Sequence, residues 1–236
     1  FLNKHGICYQ STKKTNVNLN KKEKIITFVG KLNKAKGYDI FSKSIVKILN
    51  KYPDWKALVI GDEKREKILL KHKNANILGF KKHNDVLKIF EKTSITVACS
   101  RWDEPFGRTS LEASANGCAV IITNKGGLPE TVTDARILRN LNEKNLTKSI
   151  SNLIDDKKSR KDLQSKSIQN FYLTHKFVSN KIDDYRSEKL FLQKIFFKKS
   201  SLKSLRILHV TNFNERLDGR LFFNTGRRIN NGFIRL

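Results

Sequence analysis

Six short, largely β-branched apolar runs, separated by stretches of helical periodicity, limit the fold of this chain more than any other feature. The run "KIITFVG" (24–30) is continuously apolar and ends in glycine. The segment after it, "YDIFSKSIVKILNKY" (38–52), brings Ile40, Phe41, Ile45, Ile48 and Leu49 to one side of a helix. The alternation continues through strands at 56–61, 76–80, 94–99 and 119–123 and near 135–138. Helices are predicted around 63–72, over 84–92 and 109–116, and briefly after Pro129. Strands joined by helices pair in parallel, because a parallel crossover needs far more chain than a hairpin turn. The predicted fold is therefore α/β, a doubly wound parallel sheet, with C-terminal helices over 143 to about 195 covering it.

This pattern divides the chain. Residues 1–24 are polar and rich in lysine and asparagine, as in a linker or entering loop, and 25–197 form the α/β domain. Residues 198–236 read as a linker and the truncated start of a second α/β domain, since "LRILHVTNF" (205–213) opens a fresh strand. That tail is expected to pack only opportunistically on the first domain, though it also reads as a strand and helix completing it. A chain of 236 residues with 38% hydrophobic content buries one good core rather than two. It lacks methionine and starts at Phe1, so a piece of something longer is expected.

Charge narrows the partners. The formal net charge of +26 suits nucleic acid, an anionic membrane surface or phosphorylated small molecules. The lysines are scattered rather than clustered with aromatics, which disfavours a specific nucleic-acid interface. Cys8, Cys99 and Cys118 show no C-x-x-C pairing, in keeping with a reducing cytoplasm. No run reaches the ~18 apolar residues of a spanning helix, so any membrane contact is expected to be peripheral. No His, Cys or carboxylate set has metal-ligand spacing, and no cofactor is expected. His72, His83, His175 and His209 sit in or beside helices or strands, and His5 in the entering loop, all expected to be solvated or structural.

In an open α/β sheet the loops at the carboxyl ends of the strands hold the chemistry. Three of them stand out. "GKLNKAKGYD" (30–39) offers Gly30, Lys31 and Lys36 ahead of a helix N-terminus, which suits a diphosphate; it also reads as a lysine-rich surface turn. "EPFGRTSLE" (104–112) places Glu104 on a Pro105–Gly107 turn and Glu112 about one turn inside the next helix. Two acids from one short segment are not a facing acid/base pair. They suit vicinal hydroxyls as hydrogen-bond acceptors, or simply complement the helix dipole. "NKGGLPE" (124–130) carries consecutive glycines whose amides could face the same crevice, or form an ordinary turn.

Taken together, "GKLNKAKG", "EPFGRTSLEASANGCAVI" and "GGLPETV", in this order after successive strands, closely resemble the nucleotide-sugar half of retaining GT-B-fold glycosyltransferases of family 4, over roughly 25–190. The family's E-x7-E pattern falls on Glu104 and Glu112. The resemblance implies a Rossmann-like half of a GT-B fold and a hexosyltransferase whose donor is a nucleotide-diphosphate sugar. It further implies that Lys31 and Lys36 meet the diphosphate and that Glu112 binds the ribose. Glu104 would contact the transferred sugar, with Glu104, Lys31 and Lys36 as the catalytic group. Pro105, Phe106, Gly107, Arg108, Thr109, Gly126, Gly127 and Leu128 would complete the donor site with Gly30. Lys31 stands where relatives carry arginine, which keeps the charge but loses the bidentate fork. The resemblance also implies a sugar or lipid-linked acceptor, of cell-surface polysaccharide or lipopolysaccharide, held by an N-terminal domain without counterpart before residue 25. A cytoplasmic location, at most peripheral to the inner membrane face, follows. A non-catalytic nucleotide-sugar-binding fragment and a basic nucleic-acid-binding module are the alternatives.

Overall fold

The computed structural model describes residues 11–196. Six parallel strands form one sheet: β1 (Glu23–Val29), β2 (Lys56–Ile60), β3 (Ala75–Ile77), β4 (Thr93–Ala98), β5 (Ala119–Thr123) and β6 (Arg136–Leu138). Their spatial order is β3-β2-β1-β4-β5-β6. The chain builds outward from β1 to one edge, then returns to the other side of β1 and builds to the opposite edge. At the centre, Thr27 of β1 pairs with Leu58 on one side and Thr96 on the other.

Alternation along each strand sends side chains to two separate layers. On one face, Ile26, Phe28, Ile95, Val97 and Ile121 meet α1 (Tyr38–Lys51) and α4 (Glu143–Asp155) through Phe41, Ile45, Ile48, Leu146 and Ile150, all buried. On the other, Val120 and Ile122 meet α2 (His83–Lys92) and α3 (Arg108–Ala115) through Val86, Phe90 and Ala113. β5 lies between two strands and under helices on both faces, so "AVIIT" is buried at every position. Each fully buried Ile or Phe in these layers contributes about 1.5–3 kcal/mol of transfer free energy. α5 (Lys157–Gln169) and α6 (His175–Phe196) complete the helical C-terminal part.

One predicted element is absent. Residues 61–72 contain no helix, although "DEKREKILLKHK" is rich in helix formers. Tertiary contacts override that propensity: the Glu63 carboxylate accepts from Asn33 Nδ2 (3.1 Å) and Glu66 from the Lys34 amide (3.0 Å), while Glu63 also takes the amide of its own neighbour Arg65 (3.1 Å). The segment is spent on bracing the first loop. The short helix predicted after Pro129 is a single 3₁₀ turn, Leu128–Thr131.

The chain divides into Phe1–Arg186 and Ser187–Leu236. The predicted second-domain start at 205–236, with His209, and the N-terminal His5 and Cys8 lie outside the described residues. Among the described residues no helix is long and apolar enough to cross a membrane.

The end of the entering loop is fastened to the domain rather than trailing from it. The Thr12 amide donates to the Leu173 carbonyl (3.1 Å), and Thr15 Oγ1 to the Ala115 carbonyl (2.9 Å). Lys22 Nζ donates to the Phe90 carbonyl near the end of α2 (2.7 Å) and to the Asn116 carbonyl at the end of α3 (2.5 Å). One ammonium thus serves two helix C-termini, where positive charge is favoured. Burial pushes its pKa below the ordinary value, against the raising influence of the Cys118 thiol. Lys22→Met strands both carbonyls and is expected to cost about 1–3 kcal/mol, read from a urea midpoint. Between the lowered pKa and the ordinary 10.5, the folded protein binds fewer protons than the unfolded chain. Wild-type stability therefore rises with pH across that interval, and the deficit of the variant widens there.

Candidate functional site

The strand order reverses between β1 and β4, so the loops leaving their carboxyl ends diverge to opposite faces and leave a crevice. A cavity of ≈ 350 Å³ fills it. Its walls include Phe28, Val29 and Gly30 at the end of β1 and Cys99 and Ser100 after β4.

The two loops are tied to each other before any ligand arrives. The Ala35 carbonyl accepts from the amides of Arg101 (2.8 Å) and Trp102 (3.1 Å) and from Ser100 Oγ (3.1 Å). Arg101 grips Asp39 through both terminal guanidinium nitrogens (2.6 and 2.8 Å) and also reaches the Lys34 carbonyl (2.6 Å). Burial alone would raise the Asp39 pKa, but the Arg101 guanidinium outweighs it and holds the carboxyl below its usual range. Burial pushes the Cys99 thiol up to about 12, which rules it out as a nucleophile at neutral pH.

Glu104 lies at the mouth of the second loop. Its Oε1 accepts from Ser100 Oγ (2.7 Å) and pairs with Lys36 Nζ from the first loop. Phe106 anchors the turn by burying its ring against Leu111, Ala115 and Phe171. α3 then starts at Gly107, which has no side chain to cap it, and its first intrahelical bond runs from Leu111 to Gly107. The amides of Arg108, Thr109 and Ser110 precede that bond, at a helix end whose residues Gly107, Arg108 and Thr109 line the cavity. Further along α3, Glu112 is buried, with its side chain only 7% exposed, and Oε1 accepts from His83 Nε2 (2.9 Å) and Arg108 Nη2 (2.9 Å).

Of the residues predicted for the site, Gly30, Lys36, Glu104, Pro105, Phe106, Gly107, Arg108, Thr109 and Leu128 line this cavity. Four do not. Lys31 is exposed on the first loop. Glu112 sits behind Arg108. Gly126 and Gly127 support the wall from outside: the Gly127 amide is spent on the Glu104 carbonyl (2.6 Å), and a Cβ on Gly127 would lie 2.8 Å from the Pro105 carbonyl oxygen. Their absence of side chains lets the third loop press against the second.

Sequence reasoning missed two residues that touch the acids. Ser100 follows β4 at its carboxyl end, a position whose signal was available. His83 was read as solvated or structural, and nothing in its spacing ties it to Glu112, since the contact depends on how α2 and α3 lie side by side. His72 bonds Asn50 (3.2 Å) and His175 bonds Ser11 (2.7 Å) on the surface. Among the described residues no group of three His, Cys, Asp or Glu is arranged to hold a metal.

The glycosyl transferases group 1 family matches residues 10–170. The chain belongs to that family. Spore coat protein SA of Bacillus subtilis (strain 168) is 27% identical to it over 158 residues, 60% of this chain and 42% of that protein. The lipopolysaccharide core biosynthesis mannosyltransferase LpsB of Rhizobium meliloti (strain 1021) is 31% identical over 121 residues, 47% of this chain and 34% of LpsB. The chain spans less than half the length of these relatives. The solved C-terminal domain of a glycosyl transferase group 1 family protein (LpcC) from Francisella tularensis superposes with a TM-score of 0.56 at 27% identity, covering 63% of this chain and 84% of that one. Anabaena HepE, solved in complex with UDP-glucose, shares the fold with a TM-score of 0.57 at 19% identity, over 70% of this chain and 49% of HepE. The sheet is thus the Rossmann-like architecture found in GT-B glycosyltransferases.

Gly126 offers a direct check on the wall. Its φ of 53° lies in the left-handed region, and a Cβ there would collide with the Glu104 carbonyl and stand 2.5 Å from the Glu104 amide. Gly126→Ala is expected to lose roughly 1–3 kcal/mol, seen as a lower Tm, because the strained backbone and the displaced Glu104 turn cannot both relax.

Proposed function

We propose that the cavity binds the diphosphate and sugar of a nucleotide-diphosphate sugar, and that the whole protein transfers this sugar, a hexose, with retention of configuration to a polysaccharide or lipid-linked acceptor. The observation that carries the reading is the convergence, on one cavity at the sheet's switch point, of Lys36, Arg108, an uncapped helix N-terminus and the carboxylate of Glu104. A diphosphate needs the first three. Sugar hydroxyls need the fourth.

The roles follow from position. Lys36, Arg108 and the amides opening α3 stabilise negative charge on the departing diphosphate, from loops that are already braced. Glu104 accepts from hydroxyls of the transferred sugar. Glu112, one turn deeper, accepts from the ribose. Lys31, exposed on the same loop, adds to the positive field at the mouth rather than a contact. This assignment uses the chain's own cations and calls on no metal. The UDP-glucose complex of HepE and the mannosyltransferase name of LpsB support a sugar nucleotide as donor and a cell-surface glycan as product.

Calorimetry tests the reading. Nucleoside diphosphates are expected to bind more tightly than the monophosphates. Lys36→Ala should weaken the diphosphate about tenfold or more, as loss of a charge-assisted bond implies. Glu112→Gln should weaken nucleotide binding, whereas Glu104→Gln should spare it and lower turnover of the full-length enzyme, since Glu104 competes with the diphosphate for Lys36. Equal affinity for mono- and diphosphates would sink the assignment.

The dispersed net charge of +26 supports a second element of the proposal, loose attachment to the anionic cytoplasmic face of a membrane, where lipid-linked acceptors reside. At ~1 kcal/mol per well-placed lysine, sedimentation with vesicles should rise with anionic lipid and fall with salt. Binding indifferent to both would remove it.

A further inference from the structure

We infer that His83 is a positioning residue for Glu112, holding one carboxylate oxygen so that the other is presented to the ribose; this rests on the reading of Glu112 given above.

All the side-chain bonds of the Glu112 carboxylate fall on a single oxygen. Oε1 accepts from His83 Nε2 (2.9 Å), Arg108 Nη2 (2.9 Å) and Arg108 Nε (3.2 Å). Oε2 has no hydrogen bond from any described residue. A carboxylate this far out of water costs stability unless it is paired, and an ionised one can only accept. His83 Nε2 therefore carries a proton, and the ring orientation is set by the acid it meets.

The two donors are not equivalent. Arg108 lines the cavity, with its side chain 58% exposed, so an incoming diphosphate competes for its guanidinium. His83 comes from elsewhere: it is the first residue of α2, reached from β3, and it does not line the cavity. When Arg108 turns to phosphate, His83 stays on Oε1. The N-terminus of α2, one side chain away, further favours negative charge at that place. Glu112 then keeps its orientation in the bound state, with Oε2 free to accept from a ribose hydroxyl. Without His83 the carboxylate is held by Arg108 alone, and gripping the ribose and gripping the diphosphate become competing demands.

The experiment uses the full chain, with UDP, GDP and ADP titrated in turn, the tightest kept as probe, and inorganic pyrophosphate as the ligand that has no ribose. His83→Ala should weaken the nucleotide about 3- to 10-fold, the worth of one hydrogen bond, and leave pyrophosphate unchanged. His83→Gln, whose amide can still donate, should recover most of the loss. In a Glu112→Gln background, His83→Ala should have no further effect. A loss shared equally by nucleotide and pyrophosphate, no recovery with glutamine, or a full loss persisting in the Glu112→Gln background would each overturn the inference. If Glu112→Gln lowers nucleotide affinity relative to pyrophosphate while His83→Ala does not, His83 fails and the ribose reading stands. If Glu112→Gln leaves that ratio unchanged, the ribose reading fails and this inference falls with it.

Discussion

The parallel pairing of β1 with β4 is the constraint on which the rest depends. These two strands are adjacent in space but separated in sequence by β2, β3 and two helices. A right-handed crossover from β1 must carry α1 to one face, and the return to β4 puts α2 and then α3 on the other. The two loops that leave the carboxyl ends of β1 and β4 are thereby sent in opposite directions, and no side chain from a neighbouring crossover fills the space between them. The cavity is a consequence of strand order. What the sequence adds is the chemistry of its walls.

Divergent loops would be poor walls if each moved alone. Here one carbonyl, that of Ala35, takes three hydrogen bonds from the residues following β4, and Arg101 reaches back to Asp39 in the first turn of α1. The third loop adds its own lock through the Gly127 amide. Each bond contributes only ~1 kcal/mol net, but together they fix Lys36, Ser100 and Glu104 relative to one another. The unused helix propensity of 61–72 belongs to the same construction, because that segment braces Asn33 and Lys34 instead of coiling.

Most of the sheet was legible because its signals are local. Apolar runs ending in glycine or a polar turn mark the strands, and "AVIIT" is bounded to the residue. Glu104 on its turn and Glu112 inside α3 were likewise set by the Pro105–Gly107 punctuation. What could not be read depends on contacts across the chain. The spacing in "DEKREKILLKHK" is helical, and only the tertiary partners of Glu63 and Glu66 overrule it. Gly126 and Gly127 look like amides open to a ligand until the Glu104 backbone is seen, whose carbonyl takes the Gly127 amide and which packs against Gly126. Lys31 and Lys36 look alike in the sequence, yet the turn between them exposes one and aims the other at Glu104. The bond between His83 and Glu112 joins two helices whose separation along the chain carries no signal at all.

The charges at the site sharpen how a ligand would be received. Lys36 is balanced by Glu104 and Arg108 by Glu112, so these four side chains bring no net charge to the cavity. On the proposed reading a diphosphate takes Lys36 from Glu104 and Arg108 from Glu112, and each acid then has room for a new donor. Hydroxyl groups are donors of that kind, and the proposed assignment gives those of the sugar to Glu104 and those of the ribose to Glu112. An anion without hydroxyls would leave Glu104 with Ser100 alone and Glu112 with His83 alone, and forfeit part of what the cations provide. The uncompensated positive end of α3 is the one attraction that every anion shares. The proposed reading thus assigns selectivity for a sugar nucleotide over simple phosphate to the acids rather than to the bases, and gives two glutamates a purpose beside cations suited to negative charge.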